Sequence, residues 1–199
     1  VKDHYSFLAP FYNQLSKLIF DDQLMQAKTY FVEDLSNKKI LIIGGGDGLD
    51  YQSFQAQLSG EYWEISKAML SKAKSNLGES GLSFHLGYYQ VEKEGFFDEV
   101  WLHFVLDTMR DEEIANLLGE ISKSITPGGR IYLADFFAPQ NTFQRIMHRS
   151  MITFFRIITQ HKRASIPDYE EILVADNWKK SSEKEYVKAW VKAQVWEKN

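Results

Sequence analysis

Apolar and polar positions follow two rhythms along the chain. Residues 5–35 place Phe7, Leu8, Phe11, Leu15, Leu18 and Ile19 at three- and four-residue spacings, which predicts N-terminal helices within residues 1–36. Ile40–Ile43 is instead an unbroken run of β-formers, the pattern of a strand buried on both faces. A glycine turn and a helix are expected next, then a second strand over Tyr62–Ile65. Ser66 is placed to cap a helix whose inner face is Met69, Leu70, Ala73 and Leu77. Leu82–Leu86 and Phe97–Leu102 read as strands three and four, and a charged helix runs from Asp111 through Ile125. Pro127-Gly128-Gly129 reads as a turn before strand five at Arg130–Phe136, since proline presets φ and glycine takes unusual φ. Strands alternating with helices predict a doubly wound α/β sheet.

Beyond strand five the rhythm changes. Residues 140–163 read as an aromatic, basic helix and 168–176 as a second one, together a lid-like helical insertion over residues 139–176. Lys179–Val187 and Val191–Trp196 then read as strands joined too closely for a parallel crossover, so they pair antiparallel. The expected fold is a Rossmann-like, seven-stranded, mostly parallel sheet with an antiparallel last strand, in a three-layer sandwich forming one domain over residues 1–199.

Composition narrows the functions. A formal charge of −4 gives no general attraction to nucleic acid. The chain has no cysteine, which excludes disulfides, thiolate catalysis and cysteine-ligated metal. The histidines have no His-x-x-x-His spacing, so no metal site is expected. No apolar run approaches eighteen residues, and a signal-peptide core is missing, so stable membrane insertion is not expected and the cytoplasm is the expected location.

The candidate chemistry begins where strand one meets Gly44-Gly45-Gly46-Asp47-Gly48. Glycines let the backbone turn sharply and approach a ligand that a Cβ would hold away. Twenty positions after Gly44 comes Glu64, at the end of strand two, where a carboxylate can accept both hydroxyls of a ribose. A dinucleotide fingerprint places glycines first, third and sixth; here they fall first, third and fifth, with Leu49 sixth. Asp47 inside the turn would repel a pyrophosphate but tolerate a ligand carrying an ammonium group. The loop therefore favours S-adenosyl-L-methionine over NAD.

Taken together, these segments resemble the class I S-adenosylmethionine-dependent methyltransferases, nearest to the small-molecule branch that includes ubiquinone and menaquinone C-methyltransferases. The resemblance is carried by five segments: Tyr5–Asn13, Ile42–Gly48, Glu64-Ile65-Ser66 with Met69-Leu70, Phe97–Leu106, and Ile125–Phe136 with its Pro-Gly-Gly. It implies that Tyr12 lies over the cofactor, that Gly44, Gly45, Gly46, Asp47 and Gly48 hold its methionyl part, and that Glu64 takes the ribose. It further implies an adenine wall from Ile65 and Met69. Two positions depart from the pattern. Ile42 stands where an acidic residue usually precedes the glycines, and Tyr88 stands where an aspartate usually meets the adenine amino group, a role that Gln90 or a backbone carbonyl would have to take.

Bland readings stand beside these. The glycines also suit a plain tight turn, Glu64 a solvated strand end, and Tyr5 and Tyr12, seven apart, ordinary core packing. His103, at the exit of strand four where open α/β sheets place ligands, is a candidate for cofactor contact and for the general base; a buried structural histidine fits equally. His148 is a second candidate base; it and His161 lie on the aromatic helix, where a solvated position is the alternative. Asp107 suits a turn and Asp135 a cap as well as the crevice. The insertion reads as a substrate lid, a homodimer face or a membrane-surface helix.

Methyl transfer from a sulfonium is one displacement, so alignment supplies much of the rate, and a base is needed only if the acceptor must lose a proton. The exit of strand four is not Asn-Pro-Pro-Tyr, which disfavours methylation of a planar amino nitrogen. The expectation is methyl transfer to a small, apolar acceptor, with a non-catalytic cofactor-binding module and an NAD-dependent oxidoreductase as alternatives.

Overall fold

The computed structural model describes residues 20–33, 35–149 and 165–198. Seven strands form one sheet in the order β3-β2-β1-β4-β5-β7-β6. They are β1 (Ile40–Ile43), β2 (Ser59–Glu64), β3 (Gly81–Leu86), β4 (Phe97–His103), β5 (Ile125–Phe136), β6 (Trp178–Tyr186) and β7 (Val191–Lys198). The first five pair in parallel, while β7 runs antiparallel to both β5 and β6. The predicted fold class is the observed one, with the reversed strand lodged between β5 and β6.

The helices are α1 (Gln23–Thr29), α2 (Lys67–Asn76), α3 (Asp111–Ser124), α4 (residues 142–149) and α5 (Tyr169–Ala175). Their packing follows the strand alternation. Leu41 and Ile43 of β1 face a core that includes Ile114, Leu118 and Ile121 of α3 and Tyr169 and Leu173 of α5. Ile40 and Ile42 face the opposite core, with Leu70 and Ala73 of α2, Tyr51, Tyr62 and Trp101. A third cluster joins Phe20 and Ala27 of the α1 region to Ala134 and Phe136 of β5 and Trp190. Helices thus cover both faces of the sheet, as a strand apolar on both sides requires.

The structure corrects three local expectations. The segment after the glycine turn is a 3₁₀ stretch, Leu49–Gln57, broken at Phe54 (φ −126°), rather than an α-helix. It buries only Tyr51, so it lacks the continuous apolar stripe that would hold a regular helix to the sheet. Pro127-Gly128-Gly129 lies within β5 as an irregularity: Phe97 faces Ile125, but Glu99 already faces Arg130. Strand two ends at Glu64 and leaves Ile65 beyond it. The expected Ser66 cap is present, with its hydroxyl accepting from the Met69 N–H at 3.3 Å. Tyr5, Tyr12, the apolar positions Phe7 to Ile19 of the expected N-terminal helices, His161 and residues 150–163 of the helix expected over 140–163 lie outside the described residues.

No helix among the described residues is long and apolar enough to cross a membrane.

Candidate active site at the strand ends

The glycine loop leaves the C-terminal end of β1 with Gly44, Gly46 and Gly48 all at positive φ, between 67° and 72°. Two neighbouring glycines are glycine for different reasons. A Cβ on Gly45 would lie 2.4 Å from the Tyr62 hydroxyl, so this position is fixed by packing. A Cβ on Gly46 would meet nothing within 4 Å. Gly46 therefore presents bare backbone to open space, the form a close-approaching ligand needs. Its carbonyl accepts from the Tyr62 hydroxyl at 3.1 Å and its N–H donates to Glu64 Oε2 at 3.0 Å, which sets the loop against the end of β2.

Glu64 is 7% exposed. Its other oxygen, Oε1, accepts from the Ser66 N–H at 2.8 Å. The carboxylate is thus oriented by one backbone donor on each oxygen. Around these strand ends stand large apolar side chains that the core has not taken: Leu49, Ile65, Leu86 and Tyr88, each between 44% and 66% exposed. Met69 is half-buried on α2 beside them. Asp47 turns back on its own loop, accepting from the Leu49 N–H at 3.3 Å. Backbone cradle, oriented carboxylate and apolar rim fit an adenosyl group bearing a ribose.

The two departures have a visible basis. Ile42 is 1% exposed within the apolar core beneath the loop, so it offers no polar group. Tyr88 is 66% exposed and presents an aromatic ring at the rim.

His103 closes β4 on the side of Ala134, its register partner in β5. It is 4% exposed, and its Nδ1 lies 2.8 Å from the Tyr51 hydroxyl. Burial, reinforced by the Lys28 charge, holds its pKa well below the usual histidine range, so the imidazole is neutral at neutral pH. Burial likewise keeps the Tyr51 phenol protonated. Tyr51 occupies one ring nitrogen, leaving the other as the one that a substrate could use. Phe104 follows with φ +55°, an outlier for a bulky residue and the kind of strain that collects at ligand sites. Lys28, paired with Asp50 at 2.6 Å, sits 5.6 Å from the Phe104 ring centroid.

His148 lies on α4, half-buried, 6.4 Å from the Trp190 ring, rather than on a solvated face, and burial lowers its pKa. Asp135 is fully buried and accepts from the N–H groups of Phe136 (2.8 Å) and Asp107 (3.3 Å). Burial, then the Asp107 charge, raise its pKa well above the carboxylate range. This pair faces the α3 and α5 side of the sheet, since Asp135 is two residues along β5 from Leu133 of that core. The structure thus brings the glycine loop, Glu64, Ile65, Met69 and Tyr88 to one rim, and sets His103 and His148 towards the β4–β5 end.

Sequence reasoning missed Tyr51, Lys28 and Phe104. Each acts through a partner distant along the chain, and no local pattern marked them.

Residues 41–133 match the family described as a methyltransferase domain. No curated protein sequence matches the chain. Among solved structures, one similar chain belongs to the Haloferax volcanii complex that contains the Trm112 methyltransferase activator. It is 15% identical with a TM-score of 0.75, over 99% of this chain and 98% of that one. The 1,6-didemethyltoxoflavin-N1-methyltransferase of Burkholderia thailandensis, solved with 1,6-didemethyltoxoflavin and S-adenosylhomocysteine, is 15% identical with a TM-score of 0.68, over 98% and 87%. An S-adenosylmethionine-dependent methyltransferase from Mesorhizobium loti is 11% identical with a TM-score of 0.66, over 86% and 96%. At these identities the likeness establishes the fold, and the family match falls on its loop and strands β1 to β5. Residues 41–133 are thus similar to a methyltransferase domain, and the chain shares its fold with solved S-adenosylmethionine-dependent methyltransferases.

Proposed function

We propose that the protein binds S-adenosylmethionine across the ends of β1 and β2 and transfers its methyl group to a small, apolar acceptor. The observation that carries this reading is the open approach to Gly46 beside the oriented Glu64 carboxylate. When bound, the cofactor supplies an electrophilic methyl carbon on a sulfonium.

The chain's own residues then have separable tasks. The Gly44–Gly48 backbone and Asp47 receive the aminoacyl end. Glu64 accepts ribose hydroxyls, an interaction a carboxylate makes well because both oxygens are acceptors. Ile65, Met69 and Tyr88 flank the adenine, with Tyr88 contributing an aromatic face in place of the missing carboxylate. His103, held neutral and fixed by Tyr51, borders the reacting region and is the candidate to take a proton if the acceptor must lose one. His148 is the second candidate. Tyr12 keeps the cofactor role that the family resemblance gives it.

A small acceptor draws support from the Burkholderia neighbour, which acts on 1,6-didemethyltoxoflavin. The lid reading of α4 draws support from its docking. Gln144, 2% exposed, donates to the Val187 carbonyl at 2.8 Å, while Phe143 and Ile146 face outward. The family match speaks for methyl transfer over the NAD alternative, and the non-catalytic module is the competitor. Glu64→Ala is expected to weaken S-adenosylhomocysteine binding at least about tenfold, roughly 1.4 kcal/mol. Unchanged affinity in a folded variant would remove the ribose assignment.

A further inference from the structure

The chain has five tryptophans, and four of them satisfy the indole N–H in the same way. Each Nε1 donates to an acceptor side chain two residues earlier: Trp63 to Glu61 (3.0 Å), Trp101 to Glu99 (3.0 Å), Trp178 to Asp176 (2.9 Å) and Trp196 to Gln194 (3.0 Å). Trp190 is the exception. It is 1% exposed, and its buried Nε1 has no hydrogen-bond partner among the described residues. Two residues earlier stands Lys188, whose side chain has only donors. The local arrangement that serves the other four is closed to it. A buried donor left unpaired is costly, and an acceptor atom that reaches it recovers that cost.

Trp190 also lies at the end of the sheet from which the glycine loop leaves. Its carbonyl accepts from the Phe137 N–H at 2.8 Å, and the next residue, Val191, pairs with Phe136. It therefore flanks the C-terminal end of β5, on the edge of the sheet that carries the glycine loop. Its ring packs 5.1 Å from Phe136 and 5.6 Å from Phe20, with His148 edge-on at 6.4 Å. Phe136 in turn lies 5.4 Å from Phe104, which follows His103 directly. Among the described residues, an aromatic wall runs from the exit of β4 to the unpaired Trp190 donor.

We propose that this wall forms the methyl acceptor's subsite, and that the Trp190 N–H donates to an oxygen of an aromatic acceptor bearing a carbonyl or phenolic group. The inference rests on the methyltransferase reading and adds the substrate class to it. Aromatic faces receive a flat ring, and the indole donor selects for an oxygen acceptor and against a protonated amine. Where that oxygen carries negative charge, the same N–H stabilises it. Trp190 is thus a specificity-determining residue, with His148 beside it.

The test uses indole-¹⁵N-labelled protein saturated with S-adenosylhomocysteine and two probes of one shape, acetophenone and ethylbenzene. One of the five indole N–H resonances, identified as Trp190 by its loss in Trp190→Phe, is expected to shift with acetophenone and not with ethylbenzene. Wild-type protein is expected to bind acetophenone about tenfold more tightly than Trp190→Phe does, from the loss of one hydrogen bond. S-adenosylhomocysteine affinity should be the same in both. Should Trp190→Phe fail to fold, the contrast between the two probes in wild-type protein decides alone. Equal binding of the two probes, no binding of acetophenone at millimolar concentration, or five unmoved resonances would overturn the inference while leaving the methyltransferase reading intact. Failure of wild-type protein to bind S-adenosylhomocysteine would overturn that reading, and the acceptor subsite with it.

Discussion

Gly46→Ala separates cofactor binding from folding more cleanly than any other single change in the loop. The added Cβ meets nothing within 4 Å, so the substitution has no packing cost in the free protein. What remains is the backbone: φ is +69°, where an L-residue costs about 1–2 kcal/mol. For a chain of 199 residues that corresponds to a fall in Tm of roughly 2–8 °C. The open space filled by the methyl is, on this account, the space through which the cofactor approaches. S-adenosylhomocysteine affinity should therefore fall by about tenfold or more, roughly 1.4 kcal/mol. Gly45→Ala is the comparison. Its Cβ would lie 2.4 Å from the hydroxyl of Tyr62, which is fully buried, so overpacking of about 1–3 kcal/mol dominates. Thermal unfolding and calorimetric titration of both variants give the two numbers for each. A Gly46→Ala protein that is modestly destabilised yet binds S-adenosylhomocysteine like wild type would refute the cradle.

Two further perturbations test the site's electrostatics. Tyr51→Phe strips the partner from a ring nitrogen of His103, a residue 4% exposed, and should cost about 1–3 kcal/mol, or roughly 2–12 °C in Tm. An unchanged Tm in calorimetry would mean that the pair is not a folded-state interaction. At Asp135, burial and the Asp107 charge raise the folded-state pKa above the unfolded value. Its stabilising contribution is then complete below about pH 4 and is lost as pH rises through the folded-state titration. Urea midpoints measured upward from pH 4 should decline less steeply in Asp135→Asn than in wild type; parallel slopes would contradict the assignment.

The parts of the fold legible in the sequence are those where one local pattern has one physical meaning. Ile40–Ile43 could be read as a doubly buried strand because all four residues are apolar β-formers, and all four are buried. Ser66 could be read as a cap because its hydroxyl acts on a residue three positions away. The close spacing of β6 and β7 left only antiparallel pairing. The 3₁₀ stretch after the glycine loop was not legible. Its polar residues match no helical face, and its shape is set by burying Tyr51 against Trp101 and His103. The Pro-Gly-Gly turn was read from its residue types alone, whereas its place inside β5 depends on registration against β4.

The site divides in the same way. Glu64 was visible as a carboxylate at a useful distance from the loop, but its grip on the Gly46 N–H depends on two strand ends meeting in space. His103 was visible at the exit of β4, while its Tyr51 partner lies 52 positions away. Trp190 carried a signal that went unread: an acceptor stands two residues before each of the other tryptophans, and a lysine before this one.

The account's central claim is tested most directly by calorimetric titration of the wild-type chain with S-adenosylmethionine and S-adenosylhomocysteine, with NAD as the control. Saturable binding of both adenosyl ligands, with none of NAD, is the predicted result. Absence of adenosyl binding, or binding of NAD in its place, would contradict it and make the departures at Ile42 and Tyr88 decisive.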